Sequence, residues 1–313
     1  MLTVVQNVAK RRQVQRASGA DVNIAKISRE RPVLISGPTA SGKSALAMEI
    51  ASRDGRLIVN ADALQVYDTW RILSARPSAQ DELDLPHALF GHIGRDQLYS
   101  TGHWLREVSA LLTRPVVIVG GTGLNFSVLT EGLADIPMVP QWVRAQANAI
   151  MASLGLGALL NELDAKTLAK IDKANPARVQ RAWEVLRATG RGIADWQAET
   201  GTATLPISAC DALVLTMDVA QLDGRIAQRF DAMLRAGALE EARAALPHWP
   251  DPAKGQTEPW TKAIGAPELI GHLRGQSSLT EATTAAILAS RQYAKRQRSW
   301  FRNRMKNWTI CNL

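Results

Sequence analysis

The run Gly37-Pro38-Thr39-Ala40-Ser41-Gly42-Lys43-Ser44 fits the spacing G-x-x-x-x-G-K-[ST]. Glycines at its two ends let backbone wrap closely around an anion, with successive N–H groups turned inward at the positive end of a following helix. Lys43 adds a mobile cation for an outer phosphate, and the Ser44 hydroxyl is of the type that ligates Mg²⁺. The chemistry is phosphate binding; the loop alone does not choose the reaction.

Three further features bear on that choice. An NTP hydrolase carries an acid after a core strand to hold its metal, but the apolar run Val116–Val119 passes into Gly120-Gly121-Thr122-Gly123. The acid on offer is Asp62, after the strand-like Leu57–Val59, at the sheet edge where parallel α/β proteins bind ligands. It suits two roles, a base that takes a proton from an incoming nucleophile and a helix N-cap. Arg225 and Arg229 are four apart and share one helix face, as solvated surface or as a clamp on a departing phosphate.

These residues need a scaffold. Short apolar runs (Val33–Ser36, Leu57–Val59, Val116–Val119, Leu213–Met217) alternating with helical stretches such as Ala45–Ala51 predict an α/β fold with a parallel sheet. Residues 137–204 show helical spacing and no strand signal, so they read as a helical insertion. Residues 32–136 and 205–313 then form the phosphate-loop core, after a basic, weakly structured extension over 1–31. Within the insertion, Asn175, Pro176 and Gly190 mark the cap, first turn and stop of one helix. Val179, Ala182, Trp183 and Leu186 share its apolar face. A second helix starts after Ser278, with Glu281 at capping-box spacing, and runs past Trp300. Arg291, Lys295, Arg298 and Arg302 form a basic stripe on it, beside the plainer reading of a solvated face.

The chain has 313 residues, and its 46% hydrophobic and 21% charged content excludes a mainly disordered protein. No apolar run approaches the ~18 residues of a membrane span, and no apolar signal-peptide core follows the first basic residues. Cys210 and Cys311 are too few for a disulfide framework, which fits a reduced cytoplasmic setting. A net charge of +8 suits a polyanionic partner, or only a solvated surface. The nine tryptophans are expected mostly in packing.

Taken in order, several segments resemble the tRNA dimethylallyltransferases (tRNA isopentenyltransferases) of bacterial type. They are the loop at 37–44, Asn60–Tyr67, Leu85-Pro86-His87, Tyr99-Ser100, Val119–Leu124, Asn175–Val185, Arg225–Phe230 and Ala294-Lys295-Arg296-Gln297. The resemblance spans about residues 32–304 and implies a phosphate-loop core carrying a helical, tRNA-binding insertion. It implies transfer of a dimethylallyl group from dimethylallyl diphosphate to the exocyclic amine of adenosine 37, beside the anticodon, with diphosphate leaving. Residues 37–44 would hold the diphosphate with Mg²⁺ on Ser44, Asp62 would be the base, and Lys43, Arg229 and Thr122 would complete the catalytic set. The tRNA would meet Asp62, Ala63, Leu64, Gln65, Thr122, Arg144, Ala177, Arg178, Val179, Gln180 and Arg181, with Gln65 reading the flipped-out adenine. The expected species is a cytoplasmic monomer. Asn125, Ala63 and Ala266-Pro267 depart from the family pattern and bear on substrate fine-tuning. Three other functions compete: a phosphate-loop kinase, a prenyltransferase acting on free adenine nucleotides, and a non-catalytic RNA-binding protein.

Overall fold

The computed structural model describes residues 24–251 and 258–313. Val33–Ser36 (β1), Leu57–Asn60 (β2), His87–Ala88 (β3), Val116–Gly120 (β4), Asp211–Thr216 (β5) and Thr309–Asn312 (β6) form one sheet in the order β3-β2-β4-β1-β5-β6. Every pairing in it is parallel. All residues of β1, β2 and β4 are buried, as expected where helices cover both faces of a sheet. Helix α1 (Lys43–Asp54) follows the loop and packs Leu46, Ala47 and Ile50 against Val33, Ile35, Val117 and Leu213, and α2 (Ala79–Asp84) and α3 (Thr101–Leu111) come later in the chain.

Two strands lack any signal in the sequence. β3 is two residues long, and β6 is a largely exposed edge strand, so neither carries a buried apolar run. β4 extends to Gly120, and β5 covers Asp211–Thr216 instead of Leu213–Met217. Of the expected extension, residues 1–23 lie outside the described residues. Residues 24–31 are not loose, because the fully buried Arg56 straps them to the sheet. Its guanidinium donates to Ser28 O (2.5 Å), Arg31 O (2.6 Å) and Asp54 Oδ2 (3.0 Å), and Ile27 is buried nearby in sequence.

The chain divides into two compact units, one running to Ser127 and again over Leu205–Leu313, the other Val128–Thr204. The second starts ahead of residue 137 because α4 (Gly123–Glu131) crosses the division. It holds α5 (Gln141–Ser153), α6 (Leu156–Asn161), α7 (Ala165–Lys170), α8 (Pro176–Thr189) and α9 (Ile193–Ala198). Its core joins Val143, Ala147, Leu159, Val179, Ala182 and Trp183. α8 has the expected ends: Asn175 Oδ1 accepts the Arg178 N–H, and Gly190 closes it at φ +70°.

In the sheet unit, α10 (Val219–Arg235) begins at Val219, where Asp218 caps it. α11 (Ala238–Ala245), α12 (Ala266–Leu273) and α13 (Leu279–Arg304) follow it in the chain. In α13 the Ser278–Glu281 capping box is formed. Trp70, Trp104, Trp183 and Trp260 are fully buried, whereas Trp142 is 61% exposed.

Candidate active site

The loop 37–44 joins β1 to α1 at the carboxyl edge of the sheet. Gly42 adopts φ +88° as α1 begins, a conformation open to glycine at little cost. At Gly37 a Cβ would press to 3.0 Å on Leu215 and the Ser41 hydroxyl, so the loop start lies flat on β5. Lys43 Nζ reaches back to Pro38 O (2.8 Å), and Arg229 of α10 donates to Thr39 Oγ1 (3.3 Å). Arg225 also lies near the loop, 4.0 Å from where a Cβ on Gly42 would stand.

Asp62 follows β2 and caps no helix; the next helix among the described residues after it is Ala79–Asp84. The reason is local. Asp62 Oδ1 accepts the Leu64 N–H (2.9 Å) in a tight turn. The buried Asn60 accepts the Asp62 N–H (2.8 Å) and donates to Asp62 O and Leu89 O, both at 2.9 Å. The carboxylate therefore stands on backbone held from both sides.

A cavity of about 220 Å³ brings the two together. Thr39, Ala40, Lys43 and Ser44 line it from the loop, Asp62, Leu64 and Gln65 from the turn after β2, and Arg229, Tyr293 and Gln297 from α10 and α13. Its apolar wall includes Leu73, Ile226, Phe230 and Met233. Burial lowers the Lys43 ammonium to about 7, and Arg229 adds to the lowering while Asp62 opposes it. Arg229 is lowered by burial and supported by Asp62, and the Tyr293 phenol is raised by burial and by Asp62. The cations and the acid thus feel one another across the cavity.

Gly37, Pro38, Ser41 and Gly42 shape the loop without lining this cavity, and neither Ala63 nor Thr122 lines it. Thr122 Oγ1 instead accepts the Ala63 N–H (2.9 Å), tying the loop after β4 to the turn that carries Asp62. Both donors of the Gln65 amide are committed, to Ser74 O and Ala75 O, which leaves its carbonyl to meet a ligand. Asn60 and Gln297 give no sign of their roles from spacing; both fall inside segments that resemble the family, yet the resemblance implies no task for either.

The remaining candidates lie in the helical unit. Arg144 and Arg181 both approach the buried Glu184, at 3.9 and 4.0 Å, and Gln180 donates to Asn148 and Glu184. Burial lowers the Arg181 guanidinium from its ordinary range. Arg178 is exposed and 4.0 Å from Asp172, and Ala177 is exposed. Val179 departs from expectation: its side chain is fully buried in the core of that unit and offers nothing to a partner.

Ser44 is exposed and lines the cavity, so its hydroxyl is open to a cation. No group of three or more His, Cys, Asp or Glu side chains among the described residues could hold a metal ion. One hydroxyl beside a phosphate site fits Mg²⁺, which keeps most of its water and takes the rest of its ligands from phosphate. No helix among the described residues is long and apolar enough to cross a membrane.

A phosphate loop, two cations and a carboxylate around one partly apolar cavity define a phosphate-loop α/β protein that can seat a phosphorylated donor beside a base. Its relatives narrow this. The family model described as IPP transferase matches residues 65–304, and that described as isopentenyl transferase matches residues 31–86. A tRNA dimethylallyltransferase of Cereibacter sphaeroides is 63% identical over 287 residues, covering 91% of this chain and 97% of the relative. One from Dinoroseobacter shibae is 57% identical over 291 residues, covering 92% and 96%. The crystal structure of a tRNA isopentenylpyrophosphate transferase from Bacillus halodurans is 30% identical, with a TM-score of 0.62 and 90% of each chain covered. A eukaryotic dimethylallyltransferase acting on tRNA shares the fold at TM-score 0.72 and 24% identity, over 86% of this chain and 69% of that one. The chain belongs to the tRNA dimethylallyltransferase family.

Proposed function

We propose that this protein transfers the dimethylallyl group of dimethylallyl diphosphate to the N6 amine of adenosine 37 in tRNA, releasing diphosphate. The observation that carries the reading is the single cavity shared by Lys43, Ser44, Arg229 and Asp62, with no acid on the loop after β4 for NTP hydrolysis.

Adenine's amine is a weak nucleophile because its lone pair is delocalised into the ring. The allylic carbon must therefore carry much of the reaction. As its C–O bond stretches, negative charge grows on the diphosphate, where the loop N–H groups, Lys43 and Arg229 stabilise it. Mg²⁺ bound through Ser44 and the diphosphate itself would supply further neutralisation there. The N6 lone pair closes the new N–C bond, and Asp62 accepts the proton that the amine sheds. The carbonyl of Gln65, whose amide donors are taken by Ser74 O and Ala75 O, accepts from an adenine N–H, and Leu64 and Ala63 flank the acid. Thr122 acts through Ala63, by holding the turn. The adenine must leave its stack to enter, and Arg144, Ala177, Arg178, Gln180 and Arg181 supply a surface for tRNA. The protein works as a monomer in the cytoplasm, where its RNA acceptor is.

Incubation of the pure protein with dimethylallyl diphosphate and unmodified tRNA should yield dimethylallylated tRNA with no ATP turnover. Phosphorylation from ATP would make it a kinase, and equal activity on free AMP would remove tRNA as the acceptor.

A further inference from the structure

No step of the proposed reaction uses the Ala294-Lys295-Arg296-Gln297 run, although it belongs to the family pattern. Gln297 of α13 is only 5% exposed, and both ends of its amide are engaged. Its Oε1 accepts the Thr39 N–H (2.9 Å) and its Nε2 donates to Gly121 O (2.9 Å), across sequence separations of 258 and 176 residues. It therefore joins the diphosphate loop to the loop after β4. The latter loop is tied onward to Asp62, since Thr122 Oγ1 holds the Ala63 N–H.

The glycines show how closely these parts are fitted. A Cβ on Gly121 would stand 2.3 Å from Gln297 Nε2 and 3.3 Å from Asp62 Oδ2, so one backbone thickness separates the amide from the acid. A Cβ on Gly120 would meet the Ala61 carbonyl carbon at 2.2 Å, and one on Gly123 would meet the Trp300 ring at 2.2 Å. Tyr293, Gln297 and Trp300 recur at i, i+4 and i+7, which sets them on one face of α13. That face is the mould for the Gly-Gly-Thr-Gly loop.

We infer that Gln297 is a positioning residue for the transfer: it sets the separation between the diphosphate loop and Asp62, and so the alignment of the donor's allylic carbon with the acceptor amine. This rests on the prenyl-transfer reading above. An amide is the side chain the place requires. It must accept from one backbone and donate to another at once, in a site where an unpaired partner is costly. The Thr39 N–H, in turn, is engaged by this tether.

The test uses Gln297→Met, which fills the space and makes neither bond, and Gln297→Glu, which keeps the acceptor. Measured on the full chain are kcat and KM with both substrates, diphosphate affinity, the unfolding midpoint and amide exchange at Thr39. With Gln297→Met, kcat should fall by about 10- to 100-fold, as misplacement of reacting groups by an ångström or so does. Diphosphate affinity should stay within about threefold, and Thr39 exchange should quicken. Gln297→Glu carries its own signature. When protonated, its acid group donates to Gly121 O as the amide does; ionised, it sets negative charge against that carbonyl. Its kcat relative to the parent should therefore climb as pH falls. A kcat within threefold of the parent for Gln297→Met, a ratio flat with pH, or diphosphate affinity lost in step with kcat would overturn the role. Parent protein that transfers no dimethylallyl group overturns the reaction and this role with it, while faster Thr39 exchange in the variant would still mark the tether itself.

Discussion

Lys43 and Asp62 line one cavity and bring it opposite kinds of charge. Lys43 sits near 7 because burial and Arg229 disfavour its ammonium. An arriving diphosphate favours the ammonium and raises that value. Above pH 7, binding must then draw in a proton, and affinity falls as pH rises; below it the lysine is already charged and no proton is needed. Calorimetry at pH 8.5 in buffers of different ionisation enthalpy should report uptake of up to about one proton, absent in Lys43→Met. Equal uptake in the two proteins would sink the assignment. Asp62→Asn keeps the turn's acceptor but cannot take the amine's proton. We expect kcat to fall by about 10²- to 10⁴-fold with tRNA affinity nearly retained, and unchanged turnover would falsify the base role.

At the scale of elements, the end of α1 fastens the segment before β1. Arg56 is fully buried, with its guanidinium spread over Asp54 and the carbonyls of Ser28, Arg31 and Val116. Asp54 also binds Arg53 (2.6 Å), and that bond first, then Arg56, holds its carboxyl below the usual range against the pull of burial. A depressed carboxyl contributes stability above its unfolded pKa and loses it as pH falls through the folded one. Arg56→Met leaves several buried acceptors unpaired and should cost about 3 kcal/mol, read from urea unfolding. It should also flatten the acid side of the stability profile. A loss below about 0.5 kcal/mol, the size of an ordinary surface change, would mean that the strap contributes little.

Across the whole molecule, 37 Lys and Arg face 29 Asp and Glu, and the excess matters for a polyanionic substrate. In the helical unit Arg178 and Arg181 stand 4.0 Å from Asp172 and Glu184, close enough to be oriented and too far to be neutralised by tight pairing. If they meet phosphates, each releases counterions on binding. Arg178→Ala with Arg181→Ala should weaken tRNA binding and flatten its dependence on log salt by about 0.7–0.9 for every phosphate no longer neutralised. A slope equal to the parent's would withdraw these arginines from the RNA surface.

Local rules are enough for the parts whose signal repeats or terminates nearby. The loop at 37–44, three of the buried strands to within a residue or so, the caps of α8 and the start of α13 are all written in neighbouring residues. Short or exposed strands such as His87–Ala88 and Thr309–Asn312 have no such pattern to read. Nor do the bonds that aim the site: Gln297 to Thr39, Thr122 to Ala63, Asn60 to Leu89 and Arg56 to Ser28 link segments whose spacing in the chain follows no period. They depend on strand register and on where a long helix comes to rest. Composition and motif thus determine an α/β protein that carries a phosphate-loop sequence, and only tertiary packing decides which side chains hold Asp62 and that loop at a fixed distance.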